Sequence, residues 1–465
     1  MVSARERAYG RLAVTLMVVV GSQLLAQIPL PGVDIDMFDK VFSAAGGSRD
    51  RTMVGITTLG LVQVCSTVLL IEVLALVIPR WRAWRGGGYP ERQRLWTRAM
   101  VVALVLVTVQ SYFLVRWLRG TTVAFSQFGE LVSGMDIPLM RAAQMLSMVG
   151  GTFLLYWLTR VIDSLGAANG FSALIVLPSV VPTLGAVVSS ARRRLDAGDR
   201  ILWPLALAAV VVVAITWLAS GRPVRRYGAP SPAVDLPTPS SSLQPVVAAY
   251  SLLQMPTQLA AFGINLPPAL ESELWLQRGI EAVLAVPLCL LLAWLFNRPR
   301  AVAEAWQRAG GPDADGAAVR DGVPAAFARS LAWSLAICWS LMGIQWVCLD
   351  AKLEVQLVNL VVIACVAMDI AEEVRFRSRN GALARVWPVH RLYVLPFMLK
   401  ALQAEGIPAF PRCRRHRTLW SFFMPYLPVE ILVPVDHASR AEAILRPLSG
   451  TPAEIAQPSP AALPT

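Results

Sequence analysis

Histidine is scarce in this chain of 465 residues: His390, His416 and His437 are the only three, and all lie beyond the last long apolar run. The apolar part therefore has no imidazole to serve as metal ligand, proton relay or triad base, which excludes histidine-based catalysis there. Charge is also thin. Only 15% of residues are Asp, Glu, Lys or Arg and 55% are hydrophobic, whereas a soluble domain carries about a quarter charged residues. A water-soluble enzyme is excluded as a first reading. Paired cysteine spacing is missing too. Cys65, Cys289, Cys338, Cys348, Cys365 and Cys413 fall mostly inside apolar runs and form no CxxC, so neither a disulfide framework nor a thiolate metal site is indicated. No metal, cofactor or catalytic residue is expected.

What the chain does have is long apolar runs. Candidate membrane spans cover residues 11–30, 54–78, 99–118, 145–163, 171–190, 201–219, 246–264, 278–296, 327–349 and 354–372, each of about the 20 residues that a bilayer requires. The seventh is the weakest, with Gln254, Pro256 and Gln258 needing partners or water at membrane depth. The first run follows Arg5 to Arg11 but ends in Ile28-Pro29-Leu30-Pro31-Gly32 with no small-residue cleavage pattern, so it is expected to be retained. A net charge of +12 would suggest nucleic acid in a soluble protein. Here Lys and Arg concentrate on the flanks that are cytoplasmic when the N-terminus is inside, as polytopic topology demands. Arg192 to Arg194 with Arg200 are the exception. The expected location is the cell inner membrane, multi-pass, with both termini cytoplasmic and no DNA partner.

Residues 228–245 are rich in Pro and Ser and read as a flexible cytoplasmic linker after the sixth span. A second polar loop is expected at 309–324, around Gly310-Gly311-Pro312. After a membrane domain at 1–388, residues 389–447 read as a small α+β cytoplasmic domain. Its expected elements are a strand over Val389–Leu395, a helix over Phe397–Glu405 capped by Gly406, a strand over Val429–Val435 and a helix over Ser439–Leu445. Residues 448–465, rich in Pro and Ala, read as a disordered tail. The fold class is thus an all-α polytopic membrane protein of ten transmembrane helices with a small α+β appendage.

Two stretches carry a family resemblance. Ile28-Pro29-Leu30-Pro31-Gly32-Val33-Asp34, followed by Leu59-Gly60-Leu61, Ser66, Leu69 to Leu74 and Thr97-Arg98, resembles the exit from helix 1 and the second helix of the SecY family, the protein-conducting channels of the general secretory pathway. Gly151 to Leu158 continuing through Gly166-Ala167-Ala168-Asn169-Gly170-Phe171-Ser172 is similar in length and residues to that family's fourth and fifth helices. Phe296-Asn297, Pro299-Arg300, Val319 to Gly322 and Met368-Asp369 resemble later family motifs. The tail domain, with Ala404 to Ala409 and Val429 to Val435, resembles small ferredoxin-like signal-transducing domains.

The resemblance implies two inverted five-helix halves around a narrow apolar pore ring, which gates by dewetting and by deforming around an extended chain. Its ring positions fall on Leu61, Cys65, Phe171, Ile175, Gln258 and Val362, with the first two pairs four residues apart on one helix face. Ordinary helix packing accounts for the same apolar side chains. The segment 33–52 sits where the family keeps a plug helix. Docking of SecA or a ribosome is implied at Arg222, Arg225, Arg226, Arg300 and Arg320, which positive-inside topology explains equally well. SecE-like and SecG-like subunits, membrane lipid and secretory or membrane polypeptides complete the implied partners. Asp369 is an ionisable residue near the end of the tenth span, where snorkelling and a functional role are both open. Departures from the pattern, among them Gln63, Cys65, Ala168 and Asp321, suggest a diverged channel. The alternatives are a degenerate channel that anchors its C-terminal domain and, with less support, a small-solute secondary transporter.

Overall fold

The computed structural model describes residues 4–44, 54–86, 89–124, 137–196, 202–219, most of 279–291, 316–351, 357–389, 392–419 and 428–448, with a few single positions between. They divide into two units, Met1–Pro178 and Ser179–Thr465.

In the first unit α1 spans Ala4–Ala26, α2 Ile35–Ala44, α3 Val62–Val77, α4 Pro79–Gly86, α5 Tyr89–Ala124, α6 Pro138–Leu165 and α7 Gly170–Val176. Helix α5 packs on α3 and α6, and α1 lies against α6 and α7. The sequence placed the second span at 54–78, but the helix starts only at Val62. Residues 54–60 instead run beside the α1 exit, with Pro29 and Gly55 forming an antiparallel bridge. Gly60 explains the difference: it takes a left-handed φ of 58°, which a continuing right-handed helix does not hold, while Gly55 lies so close to the Ala26 carbonyl that no Cβ fits.

The second unit begins within the fifth expected span. Pro178 lies in a 3-10 turn, Leu177–Ser179, that separates α7 from α8, Val180–Asp196, because proline cannot donate the helix hydrogen bond. Next come α9, Leu202–Ala219, then α10, Gly316–Asp350, and α11, Leu357–Asn380. The expected loop at 309–324 is therefore corrected: from Gly316 onward it is helix, and Ala317-Ala318 supply good helix formers at its start. Described residues between 279 and 291 are helical, and the seventh expected span lies outside the described residues. Among the described residues five helical segments are long and apolar enough to cross a membrane, α7 and α8 counting together as Gly170–Asp196.

The C-terminal region carries a three-stranded antiparallel sheet of order β1-β3-β2, from Leu383–Val389, Phe410–Arg412 and Val429–Pro434. Three helices accompany it: α12, Leu395–Ala404, α13, Arg414–Leu419, and α14, Ala438–Leu448. The strand expected at Val389–Leu395 lies earlier, at Leu383–Val389, and a boundary at 389 would cut it off. The cause is local. Gly381, at φ 75°, ends α11 with its N–H on the Arg377 carbonyl at 2.9 Å, so the strand follows at once. Pro396 at the first turn then fixes the start of α12. Gly406 closes α12 as expected from its φ of 71°: Gly406 N–H bonds Gln403 O at 3.0 Å and Ile407 N–H bonds Leu402 O at 2.9 Å, a Schellman pair.

The sheet has two different faces. Val429, Ile431 and Val433 of β3 share a core with Met398 and Leu402 of α12 and Leu445 of α14. On the alternate positions Leu432 pairs with Phe410 and Glu430 with Arg412, and the Phe410 ring stacks on Phe376 of α11 at 5.5 Å. Helix α11 is thus the layer covering the second face of the sheet.

Candidate functional site

Three constructions can be built from the residues upward. The first is the turn after α1. Gly32 takes φ 77°, Leu30 N–H bonds Val54 O and Ile56 N–H bonds Ile28 O, both at 2.9 Å. The Gln144 amide of α6 donates to the Pro31 carbonyl at 2.8 Å. Asp34 then caps α2, accepting at one carboxylate oxygen from Asp36 N–H at 2.9 Å and Met37 N–H at 3.1 Å. Phe38 of α2 is fully buried among Leu30, Val54, Val115, Leu118 and Met148. The short helix is thereby fastened to α5 and α6. Gly151 of α6 lies against the Ile56 carbonyl so closely that no Cβ fits.

The second is the α6–α7 corner. Asp163 accepts from Gly170 N–H at 2.7 Å, Asn169 caps α7 through Ser172 N–H at 3.1 Å, and Thr15 of α1 accepts from Ala167 N–H at 3.0 Å. Gly170 abuts the Thr159 backbone where a side chain cannot go. Ala168, a glycine in the family pattern, is not among the positive-φ positions, so alanine is tolerated there without strain. This corner aims α7 and with it Phe171, which is buried, and Ile175, which is half-buried one turn on. Leu61, at the N-cap of α3, is buried, and Val362 of α11 is 6% exposed. Cys65 lies on α3, but its side chain is outside the described residues, as are Gln258, Arg222, Arg225, Arg226 and Arg300 entirely. Arg320 sits in the first turns of α10, not in a loop; its side chain too is outside the described residues.

The third construction was not legible in the sequence. Asp369 of α11 is buried and accepts from Arg415 N–H and His416 N–H at 3.1 and 3.2 Å and from the Arg415 guanidinium at 3.1 Å. Arg415 also bridges both oxygens of Glu372 at 2.6 Å. One turn on, Glu373 accepts from Arg377 Nε at 2.9 Å on one oxygen and from Arg412 Nε at 3.0 Å on the other. Arg412 continues to Glu430 of β3 at 3.2 Å, and Glu430 to Arg385 of β1 at 3.1 Å. Cys413 makes this possible. Its left-handed φ of 65° turns the chain from β2 into α13 so that Arg412 and Arg415 both face α11. Burial, reinforced by the Arg417 charge, pushes the His416 imidazole down to about 3, so it is neutral at every physiological pH. Burial likewise lowers the Arg377 guanidinium from its ordinary value.

Apolar helices of membrane-crossing length, a fastened short helix after the first and a capped corner ahead of α7 define a polytopic membrane protein. The SecY family profile matches residues 55–312, more than half of the chain, and the chain belongs to the SecY family. That family consists of protein-conducting channels, not enzymes, and the chain is a multi-pass inner-membrane protein. It is 24% identical over 325 residues to the protein translocase subunit SecY of Streptomyces coelicolor, covering 62% of this chain and 71% of that one. The SecY subunit of Corynebacterium glutamicum is 23% identical over 314 residues, covering 59% and 67%. Among solved structures, one of SecY, described as showing that its plug domain stabilises the closed state of the translocation channel and maintains a membrane seal, superposes with a TM-score of 0.53. It is 13% identical and covers 80% of this chain and 93% of that one.

Proposed function

We propose that the chain is a diverged SecY-type channel subunit that passes or inserts polypeptides through an apolar-gated pore. Ten spans in two inverted five-helix halves, with both termini cytoplasmic, form the channel domain, which ends with α11 at Asn380 ahead of β1. The gate draws on Leu61, Cys65, Phe171, Ile175, Gln258 and Val362. Arginines 222, 225, 226, 300 and 320 receive SecA or a ribosome, and SecE-like and SecG-like subunits bind alongside. The α2 helix serves as the plug, fastened by Phe38. The observation that carries this reading is the α6–α7 corner. A 22-residue motif similar to the family's own is closed by Asp163, Asn169 and Thr15, an investment in aiming α7 that a channel wall requires. The test is ion flux through proteoliposomes of the purified chain together with the identity of stoichiometric co-purifying subunits. Ile175→Gly raises the resting leak several-fold and a SecE-like subunit co-purifies; an unchanged leak and no such subunit reject the channel.

A second reading has an observation in its favour. The ion pairs that tie α11 to β2 and α13 fit a membrane anchor for residues 389–447, serving a regulatory or docking role. Under that reading substitutions at the gate positions change nothing, and the two readings separate in the same flux assay.

A further inference from the structure

Helix α11 carries two things on one stripe. Val362, Val366, Asp369, Glu373 and Arg377 follow one another at intervals of four, three, four and four, and all are buried. Such spacing keeps them on one face of a helix, and the eleven residue steps from Val362 to Glu373 cover about 16 Å along its axis. The far part of the stripe is held by the C-terminal region at three levels: Asp369 by the start of α13, Glu373 by Arg412 of β2, and Phe376 by the stacked ring of Phe410. Each contact depends on the helix azimuth. A turn of one residue about the axis, 100°, would carry both carboxylates off their arginines and leave the buried charges unpaired, which the low-polarity surroundings penalise steeply. Apolar packing alone tolerates small rotations, and this cluster does not.

We propose that Asp369 and Glu373 are positioning residues for the gate: docking of the C-terminal sheet fixes the azimuth of α11 and thereby the direction in which Val362 is presented. The inference rests on the channel reading for the role of Val362. It makes the C-terminal region a setting device for the pore, so that whatever displaces β2 and α13 from α11 also changes the resting seal. Coupling of this kind needs a rigid element with two discrete arrangements, and a continuous helix whose foot is either clamped or released supplies it.

A native reporter lies between the two ends. Cys365 on α11 is fully buried, as are Cys338 and Cys348 on α10. The full chain in proteoliposomes is treated with a membrane-permeant maleimide, labelled sites are assigned by mass spectrometry, and ion leak is measured on the same preparations. Glu373→Leu and the isosteric Asp369→Asn are compared with wild type and with Val362→Gly. The expected result is a several-fold rise in Cys365 labelling in both clamp variants with Cys338 and Cys348 still protected, and a leak raised toward that of Val362→Gly. Cys365 as protected as in wild type, with Val362→Gly leaking, overturns the coupling and leaves the channel reading intact. Cys365 labelled while neither Glu373→Leu nor Val362→Gly leaks overturns it through the gate assignment. Labelling of all three cysteines in both variants also overturns it, since the cluster would then hold up the fold and not the orientation of one helix.

Discussion

At the scale of single residues, Glu373 and Arg412 make an asymmetric pair. Both are 1% exposed, yet their other partners differ. Removing Arg412 leaves Glu373 with Arg377 and Glu430 with Arg385, whereas removing Glu373 takes the paired carboxylate from the buried Arg377 and leaves the buried Arg412 with Glu430. Glu373→Leu is expected to cost about 3–5 kcal/mol of local stability, the scale for breaking a buried ion pair from one side, and Arg412→Met distinctly less. Hydrogen exchange of the β3 amides reads both values. His416 gives a pH signature. Its folded pKa of about 3 lies below the ordinary value of about 6.5. Between the two the unfolded chain holds a proton that the folded chain refuses, so this stabilisation is complete above pH 6.5 and is lost as pH falls toward 3. The gap in unfolding midpoint between wild type and His416→Leu should therefore shrink as pH drops from 7 to 5, equivalent to about 2 kcal/mol. A constant gap across that range would count against a neutral buried imidazole.

Among elements, the α2 helix and the α6–α7 corner make separable predictions. Phe38→Ala empties a fully buried ring site and should cost about 3–5 kcal/mol, seen as early proteolysis within 35–44 while cleavage elsewhere is unchanged. Asn169→Ala removes only a cap and should cost about 1 kcal/mol, a small fall in melting temperature. The elements were legible to different degrees, for physical reasons. Long apolar runs announced α1, α5, α6, α9 and α10, because a bilayer leaves little choice of composition. Strand β1 was misplaced because its alternation is broken: a register shift falls between Arg385 and Trp387, and Pro388 follows. Strand β2, three residues including Pro411, is too short to leave a period. The clamp was invisible since Asp369 and Arg415 lie 46 positions apart, and no local pattern marks a carboxylate for a distant arginine. Asp369 itself stood out only as an ionisable residue near a span end.

For the molecule as a whole, the C-terminal region and α11 are one folding unit, because α11 supplies the layer over the second sheet face. Truncation after Asn380 should therefore not yield a tidy membrane domain. It strips Asp369, Glu372 and Glu373 of every partner from β2 and α13, and the expected outcome is a lower yield of monodisperse protein in detergent than for the full chain. A truncated protein as well behaved as the full one would show the appendage to be dispensable. The strand order carries a further consequence, in time. β3, the last strand made, is the central one, so β1 and β2 have nothing to pair with until it is synthesised. At about 5–20 residues per second the roughly 60 residues from Glu373 to the end of β3 take about 3–12 s. Through that interval the carboxylates of α11 are already in place while their arginines are not yet held, so during biogenesis the last membrane helix is set down before the part that locks its orientation exists.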